Sequence, residues 1–307
     1  MINKIKMAST RKYTMMARPT IEGEEDDCVL FGSDSEDDEF RRKEVFCFFA
    51  PPRTKQTKRF SLFPMYRVPQ TRYNLSVKDA CCLARAGDLL LFNGCGTSSA
   101  MVRLFTPSRY SHVAIVIQMK NDETGEIVPF LVEAVRHKDT NLDVCGKHSA
   151  GVRVVPMRER LETYRGYTLA IRTMMCRKSY LARVSKFING HLERFANEYM
   201  YRGYNHDWRD FFNARVPFFR NTEYGARYDK QDTRREFFCS ELVAQCFIEA
   251  GMLDGMSASA SSYSPDSFSE AGALSFTTPE ELFGADIKYG PELFVDLPCL
   301  EGGYSHK

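Results

Sequence analysis

Apolar positions recur with two periods along this chain, and the switches between them mark its elements. Short β-branched or leucine runs bounded by turn residues predict strands at Leu89–Phe92, Ser111–Ile117, Ile127–Val135, Gly151–Pro156 and Tyr167–Arg172. Gly87-Asp88 sets a turn before the first, and Asn121-Asp-Glu-Thr-Gly125 joins the second and third as a hairpin. A spacing of three and four then takes over. Leu181, Val184, Phe187, Ile188, Leu192 and Phe195 predict a long helix from Tyr180 to about Tyr199. Leu242, Val243, Cys246, Phe247 and Ala250 predict a second, with Cys239 in its first turn and Gly251 as its stop. A helical turn is expected at Ser76–Ala84, and a short helix at Ala100–Phe105 ended by Pro107. The loop Asn93–Ser99 lacks the Gly-Lys-Ser/Thr ending of a phosphate-binding loop. Beyond the second long helix come a serine-rich linker, Ser257–Ser264, and a tail of Gly and Pro turns expected to wrap the surface.

The first 60 residues follow neither rhythm. Acidic runs at Glu22–Asp27 and Asp34–Glu39 give way to basic clusters at Arg41–Lys43 and Arg53–Arg59. Like charges in blocks repel and bury too little surface to offset backbone ordering. Residues 1–60 therefore read as a disordered charged leader, with an apolar patch at Val45–Phe49 able to dock on the domain and a possible protein partner. Ser33 and Ser35, set among acids, are candidate phosphorylation sites. Arg53–Thr57 matches the start of the histone H3 tail by chance, since here it is internal. Residues 61–307 read as one folded unit of α+β class, its ordered part starting near Asn74.

Bulk properties narrow the setting. The 307 residues carry a net charge of +2, which singles out no charged partner, and nucleic acid is not expected. No apolar run approaches the roughly eighteen residues of a membrane span. The N-terminus lacks the apolar core of a secretory signal. Ten scattered cysteines are thus expected as free thiols in a reducing, cytoplasmic compartment.

Three residues carry candidate chemistry. A helix start offers unpaired amides and the positive end of a dipole, which stabilise an anion; for Cys239 that anion is the thiolate, the nucleophilic form. The plain alternative is a small buried hydrophobe. A four-residue hairpin loop at Asn121–Thr124 pairs Lys120 with Gly125 and, further along, sets His112 opposite Glu133 on one face. A shift of two in that register keeps them diagonal neighbours on the same face. Either they are an internal polar pair, or Glu133 orients an imidazole that activates a nucleophile.

Ala86-Gly-Asp-Leu-Leu-Leu-Phe, Arg109-Tyr-Ser-His-Val-Ala-Ile-Val, Val132-Glu-Ala, Gly151-Val-Arg-Val-Val-Pro-Met, Phe238-Cys-Ser-Glu-Leu-Val-Ala-Gln and Ser264-Pro-Asp occur in this order. Together they resemble the permuted NlpC/P60 papain-like enzymes of the YaeF/YiiX type, a group with poxviral relatives, over about residues 80–270. The resemblance implies a circularly permuted papain-like α+β fold, its antiparallel sheet packed against the helix bearing the cysteine. It also implies Cys239 as nucleophile, His112 as general base and Glu133 as third residue. Residues 61–307 would then be the catalytic domain, and a virion location follows if the chain is viral. The charged leader, the long loop at 208–232 and the C-terminal tail depart from the compact bacterial members.

The expected activity is a thiol hydrolase acting on a peptide, amide or lipid ester, with no cofactor. The same residues serve an acyltransferase on lipid substrates, and a non-enzymatic structural or virion protein could keep the fold. Tyr110 and Tyr204 are candidate second oxyanion donors beside the Cys239 amide. Cys145-Gly-Lys-His148, with His137 nearby, has zinc-like spacing but no second ligand pair, so no metal is expected. His191 and His206 are expected in solvent, and Trp208 beside Tyr204 to line a groove or anchor packing.

Overall fold

A computed structural model describes residues 13–14, 74–95, 99, 109–122, 124–205, 236–255, 258–272, 274 and 276–297. The strands are β1 (Tyr13–Thr14), β2 (Asn74–Leu75), β3 (Leu89–Gly94), β4 (His112–Asn121), β5 (Ile127–Val135), β6 (Gly151–Pro156), β7 (Gly166–Met175) and β8 (Lys288–Val295). The helices are α1 (Val77–Leu83), α2 (Met157–Glu162), α3 (Leu181–Tyr199) and α4 (Cys239–Glu249). The leader apart from Tyr13–Thr14, the short helix expected at Ala100–Phe105, the loop at 208–232, His206 and Trp208 lie outside the described residues.

One sheet joins the strands in the order β2-β8-β7-β3-β4-β5-β6, with β1 pairing the far end of β4. All pairs are antiparallel except β2 with β8. Alternation along each strand divides the side chains between two cores. On one face Leu89, Leu91, Val113, Ile115, Ile117, Val132 and Val154 meet the apolar stripes of α3 and α4. On the other, Leu90, Phe92, Ala114, Val116, Leu131 and Val155 meet α1 and α2. The architecture is a sheet between two helical layers, so its strands read as continuous apolar runs.

The tail departs from expectation. Instead of wrapping the surface, its last strand β8 enters the sheet between β2 and β7, burying Leu293, Phe294 and Val295. Gly290-Pro291 hid it, because proline donates no ladder bond. Pro291 is tolerated because β2 reaches only Phe294 and Val295, and because the β7–β8 register shifts between Arg172 and Met174. The serine-rich linker is no free linker either. Its turn Ala260–Ser262 packs on α4 with Ala260 fully buried.

The hairpin register also differs. Lys120 pairs with Ile127 and Ile115 with Val132, two residues along from the expected pairing. The loop still has four residues but occupies 122–125. Asn121 closes it, donating to the Glu126 carbonyl at 2.8 Å and accepting from the Gly125 amide at 2.8 Å. Gly125 takes the left-handed φ of 72° that ends the loop, a conformation cheap only for glycine. His112 and Glu133 are consequently diagonal rather than opposite.

Candidate active site

Helix α4 begins at Cys239 because Phe238 is extended, with φ −74° and ψ 158°. The Glu241 carboxylate folds back to accept from the Phe238 amide at 3.2 Å. Leu242, Val243, Cys246 and Phe247 are fully or almost fully buried, each worth about 1.5–3 kcal/mol for the larger aliphatic and aromatic side chains. The helix stops at Gly251, which has φ 69°. The N-terminal turn is therefore pinned to the sheet with the Cys239 thiol buried at 5% exposure.

His112 is the first residue of β4 and pairs with Phe92 of β3. Its ring tilts against the Phe92 ring at 5.2 Å. Its Nε2 lies 2.7 Å from Glu133 Oε2. An ionised carboxylate only accepts, so Nε2 carries the proton and Nδ1 is left for another partner. Cys239, at the start of α4, is near enough for its charge to act on the ring.

This proximity runs against strand alternation. His112 and Glu133 belong to the face covered by α1 and α2, whereas α4 packs on the other. The β4–β5 ladder, however, stops at Ile115–Val132, while β3–β4 continues to His112 and β5–β6 to Val135. The two strands diverge at this end. Cys239 from one layer acts electrostatically on His112 from the other.

Glu133 is fully buried, and its carboxylate is held from three directions. Arg153, its register partner on β6, donates Nη2 at 2.7 Å and Nε at 3.1 Å to Oε1. Arg160 of α2 donates Nε to Oε1 at 3.0 Å and to Oε2 at 3.3 Å. Arg153 also bonds both carboxylate oxygens of Asp139, at 2.8 Å and 2.5 Å. The fully buried Arg153 is thereby satisfied on both sides, as a buried charge must be. Sequence reasoning missed Arg153, Arg160 and Asp139. The available signal was Arg153 itself, a charge between Val152 and Val154 in an apolar strand.

The electrostatics follow from these contacts. Burial opposes the charged form of His112, but the charge and hydrogen bond of Cys239, and then those of Glu133, outweigh it and raise the ring to about 9. Burial likewise opposes a charged Glu133. Arg160, then Arg153 and His112 hold its carboxyl well below the usual carboxylate range. Two arginines and two carboxylates balance among themselves.

The two tyrosines part company. Tyr110 is fully buried and donates its hydroxyl to Glu292 at 2.7 Å, so it is committed away from Cys239. Tyr204 forms a parallel bridge with Phe237 and packs edge-on against Phe238 at 5.8 Å. Burial, then the Cys239 charge, pushes its hydroxyl far up, which places Tyr204 within electrical reach of the sulfur. The Ser264-Pro-Asp segment supports the fold, Asp266 accepting from the Arg109 amide at 3.4 Å. His191 is not in open solvent: it is half-buried and its Nε2 is shielded. Among the described residues no group of three or more His, Cys, Asp or Glu side chains is placed to hold a metal ion, and no helix is long and apolar enough to cross a membrane.

No model of a known protein family matches the chain. No curated protein matches it either. Among solved structures it is similar to the crystal structure of metalloprotein yiiX from Escherichia coli O157:H7, DUF1105, at 14% identity and a TM-score of 0.35, covering 70% of this chain and 98% of that one.

Proposed function

We propose that this chain is a cysteine hydrolase of permuted papain-like fold, cleaving an amide or ester bond through an acyl-enzyme on Cys239. One observation carries the reading: His112, whose Nε2 lies 2.7 Å from a buried carboxylate, also feels the charge of the helix-start thiol Cys239. Those are the parts of a nucleophile, base and orienter.

In the reactive form the proton sits on His112 and the charge on sulfur. The thiolate attacks the carbonyl carbon, and a C–S bond forms. The Cys239 amide, in the first turn and outside the intrahelical ladder, faces the oxygen that gains charge. As the C–N or C–O bond breaks, the imidazolium donates its Nδ1 proton to the leaving group. Water then gives a proton to Nδ1 and its hydroxyl to the acyl carbon, the C–S bond breaks, and the acid departs. Glu133 holds the ring so that Nδ1, not Nε2, faces the sulfur. The substrate is a peptide, amide or lipid ester. The free thiols at Cys81, Cys82, Cys95, Cys145, Cys176, Cys239 and Cys246 support a reducing compartment.

The test is incubation of the full chain with acyl and peptide probes, followed by mass spectrometry of the Cys239 peptide. A thioester adduct that Cys239→Ala and His112→Ala both lose is the expected result. Labelling of Cys239→Ala at the wild-type level would overturn the assignment. Release of product to water, rather than to an added amine or alcohol, separates hydrolysis from acyl transfer.

A further inference from the structure

We infer that Arg160 is a positioning residue for the proposed reaction, locking the Glu133 carboxylate against the His112 ring. The inference rests on the proposed Cys239 chemistry and adds a residue to it. Arg160 Nε bridges both Glu133 oxygens, at 3.0 Å and 3.3 Å, and so fixes the carboxylate against rotation about its last bond. The same guanidinium lies over the Phe92 ring, 4.9 Å from its centroid, and 5.7 Å from that of Tyr164. Phe92 in turn packs against His112 at 5.2 Å, and Tyr164 meets Phe92 edge-on at 5.1 Å. One side chain thus grips both supports of the imidazole: the carboxylate at its Nε2 and the aromatic ring at its side.

Arg153 touches the same carboxylate but serves a different end. It is fully buried and ties Glu133 to Asp139 and to the Ser149 carbonyl, so its loss would first damage the fold. Arg160 has a 12% exposed side chain on α2, where water can reach a vacated position. The planar guanidinium is essential to the inference. A lysine at 160 would keep the charge but could not lay a delocalised plane over Phe92 in the same way.

The experiment compares wild type with Arg160→Gln and Arg160→Lys in the full chain, using p-nitrophenyl acetate turnover and the NMR titration of the His112 ring. Arg160→Gln is expected to lower kcat between about 10- and 100-fold with KM changed less than about twofold, because a slight misplacement of the base slows chemistry without touching binding. It is also expected to move the His112 titration upward, since a cation near the imidazolium has gone. Arg160→Lys is expected to restore the titration but only part of kcat. It also carries the test should Arg160→Gln fail to fold. Folded variants with wild-type kcat and an unmoved His112 titration would overturn the inference, as would full rescue of kcat by lysine. A wild-type chain whose turnover survives Cys239→Ala would instead remove the underlying reaction, an outcome visible before any Arg160 variant is made.

Discussion

His112 and Glu133 lie diagonally across the β4–β5 hairpin, yet Nε2 and Oε2 are 2.7 Å apart. Glu133 lies one position past the last β4–β5 pair, Ile115 with Val132, and its register partner is Arg153 of β6. The pairing is closed from behind by Arg153 and from the side by Arg160. Glu133 is therefore first a partner of two arginines and second an acceptor for the ring. That ordering decides what its loss will do.

Glu133→Gln should destabilise the whole chain and not merely slow it. The substitution removes the negative charge from between Arg153, fully buried, and Arg160. Breaking a buried ion pair by deleting one partner costs about 3–5 kcal/mol. Urea unfolding of the variant should show a loss of that size. A loss within about 0.5 kcal/mol of wild type would mean that the arginines find other anions and that the cluster is looser than its distances imply.

The titration of His112 gives a pH signature. Its folded-state value, about 9, lies above the ordinary 6.5. The linked stabilisation is thus fully present below about pH 6.5 and is lost as pH rises through about 9. The largest favourable cause is Cys239, so Cys239→Ala should flatten the stability profile across that window. Amide cleavage should fall over the same alkaline range, because a neutral ring has no proton for the leaving amine. Unfolding midpoints and amidase rates at intervals from about pH 6 to pH 10 check both. A profile unchanged by Cys239→Ala would separate the thiol from the ring.

Site-resolved alkylation should rank the cysteines by chemistry more than by exposure. Burial pushes Cys81 up to about 11 despite Arg158 nearby, and pushes Cys246, deep in the α4 stripe, further still. Both should resist iodoacetamide at neutral pH. Cys239, also buried, should react because its partner is the imidazole. His112→Ala should slow Cys239 alkylation while leaving the exposed Cys82 and Cys95 as they were. Peptide mapping by mass spectrometry reads each site separately, and equal slowing at Cys95 would point to a general change of fold instead.

Much of this arrangement is legible in the sequence. The strand at Ile127–Val135 and the helix stop at Gly251 follow from local pattern and turn chemistry, and both occur where expected. His112 and Glu133 share a face in either register because a shift of two preserves alternation. The observed register differs from the expected one because Asn121 closes the ladder and does not open the loop. Other features were hidden by their range. Nothing local announces that Arg160 on a short helix reaches Glu133, 27 positions away, or that Gly290-Pro291 sits inside a strand. Alternation also places His112 and Cys239 on opposite faces of an ideal sheet. The end of the β4–β5 ladder at Ile115, while β3–β4 runs on to His112, is a property of three strands together that no local pattern announces.

The last expectation separates two tyrosines that sequence treated alike. Tyr204 stands beside the α4 start, bridged to Phe237, and feels the Cys239 charge. Burial and that charge both keep its hydroxyl protonated, the state in which it can donate to a developing oxyanion. Tyr204→Phe should lower kcat by about 100- to 1,000-fold, the usual cost of one such donor, with little change in KM or stability. Tyr110 donates to Glu292 instead, deep beneath the Arg109 guanidinium. Tyr110→Phe should leave kcat near wild type and cost about 1.5–3 kcal/mol of stability, as expected for a hydrogen bond to a charged group. Steady-state kinetics and urea unfolding on both variants make the comparison. Loss of turnover in Tyr110→Phe, or wild-type turnover in Tyr204→Phe, would reverse the assignment and leave the Cys239 amide as the donor still to be paired.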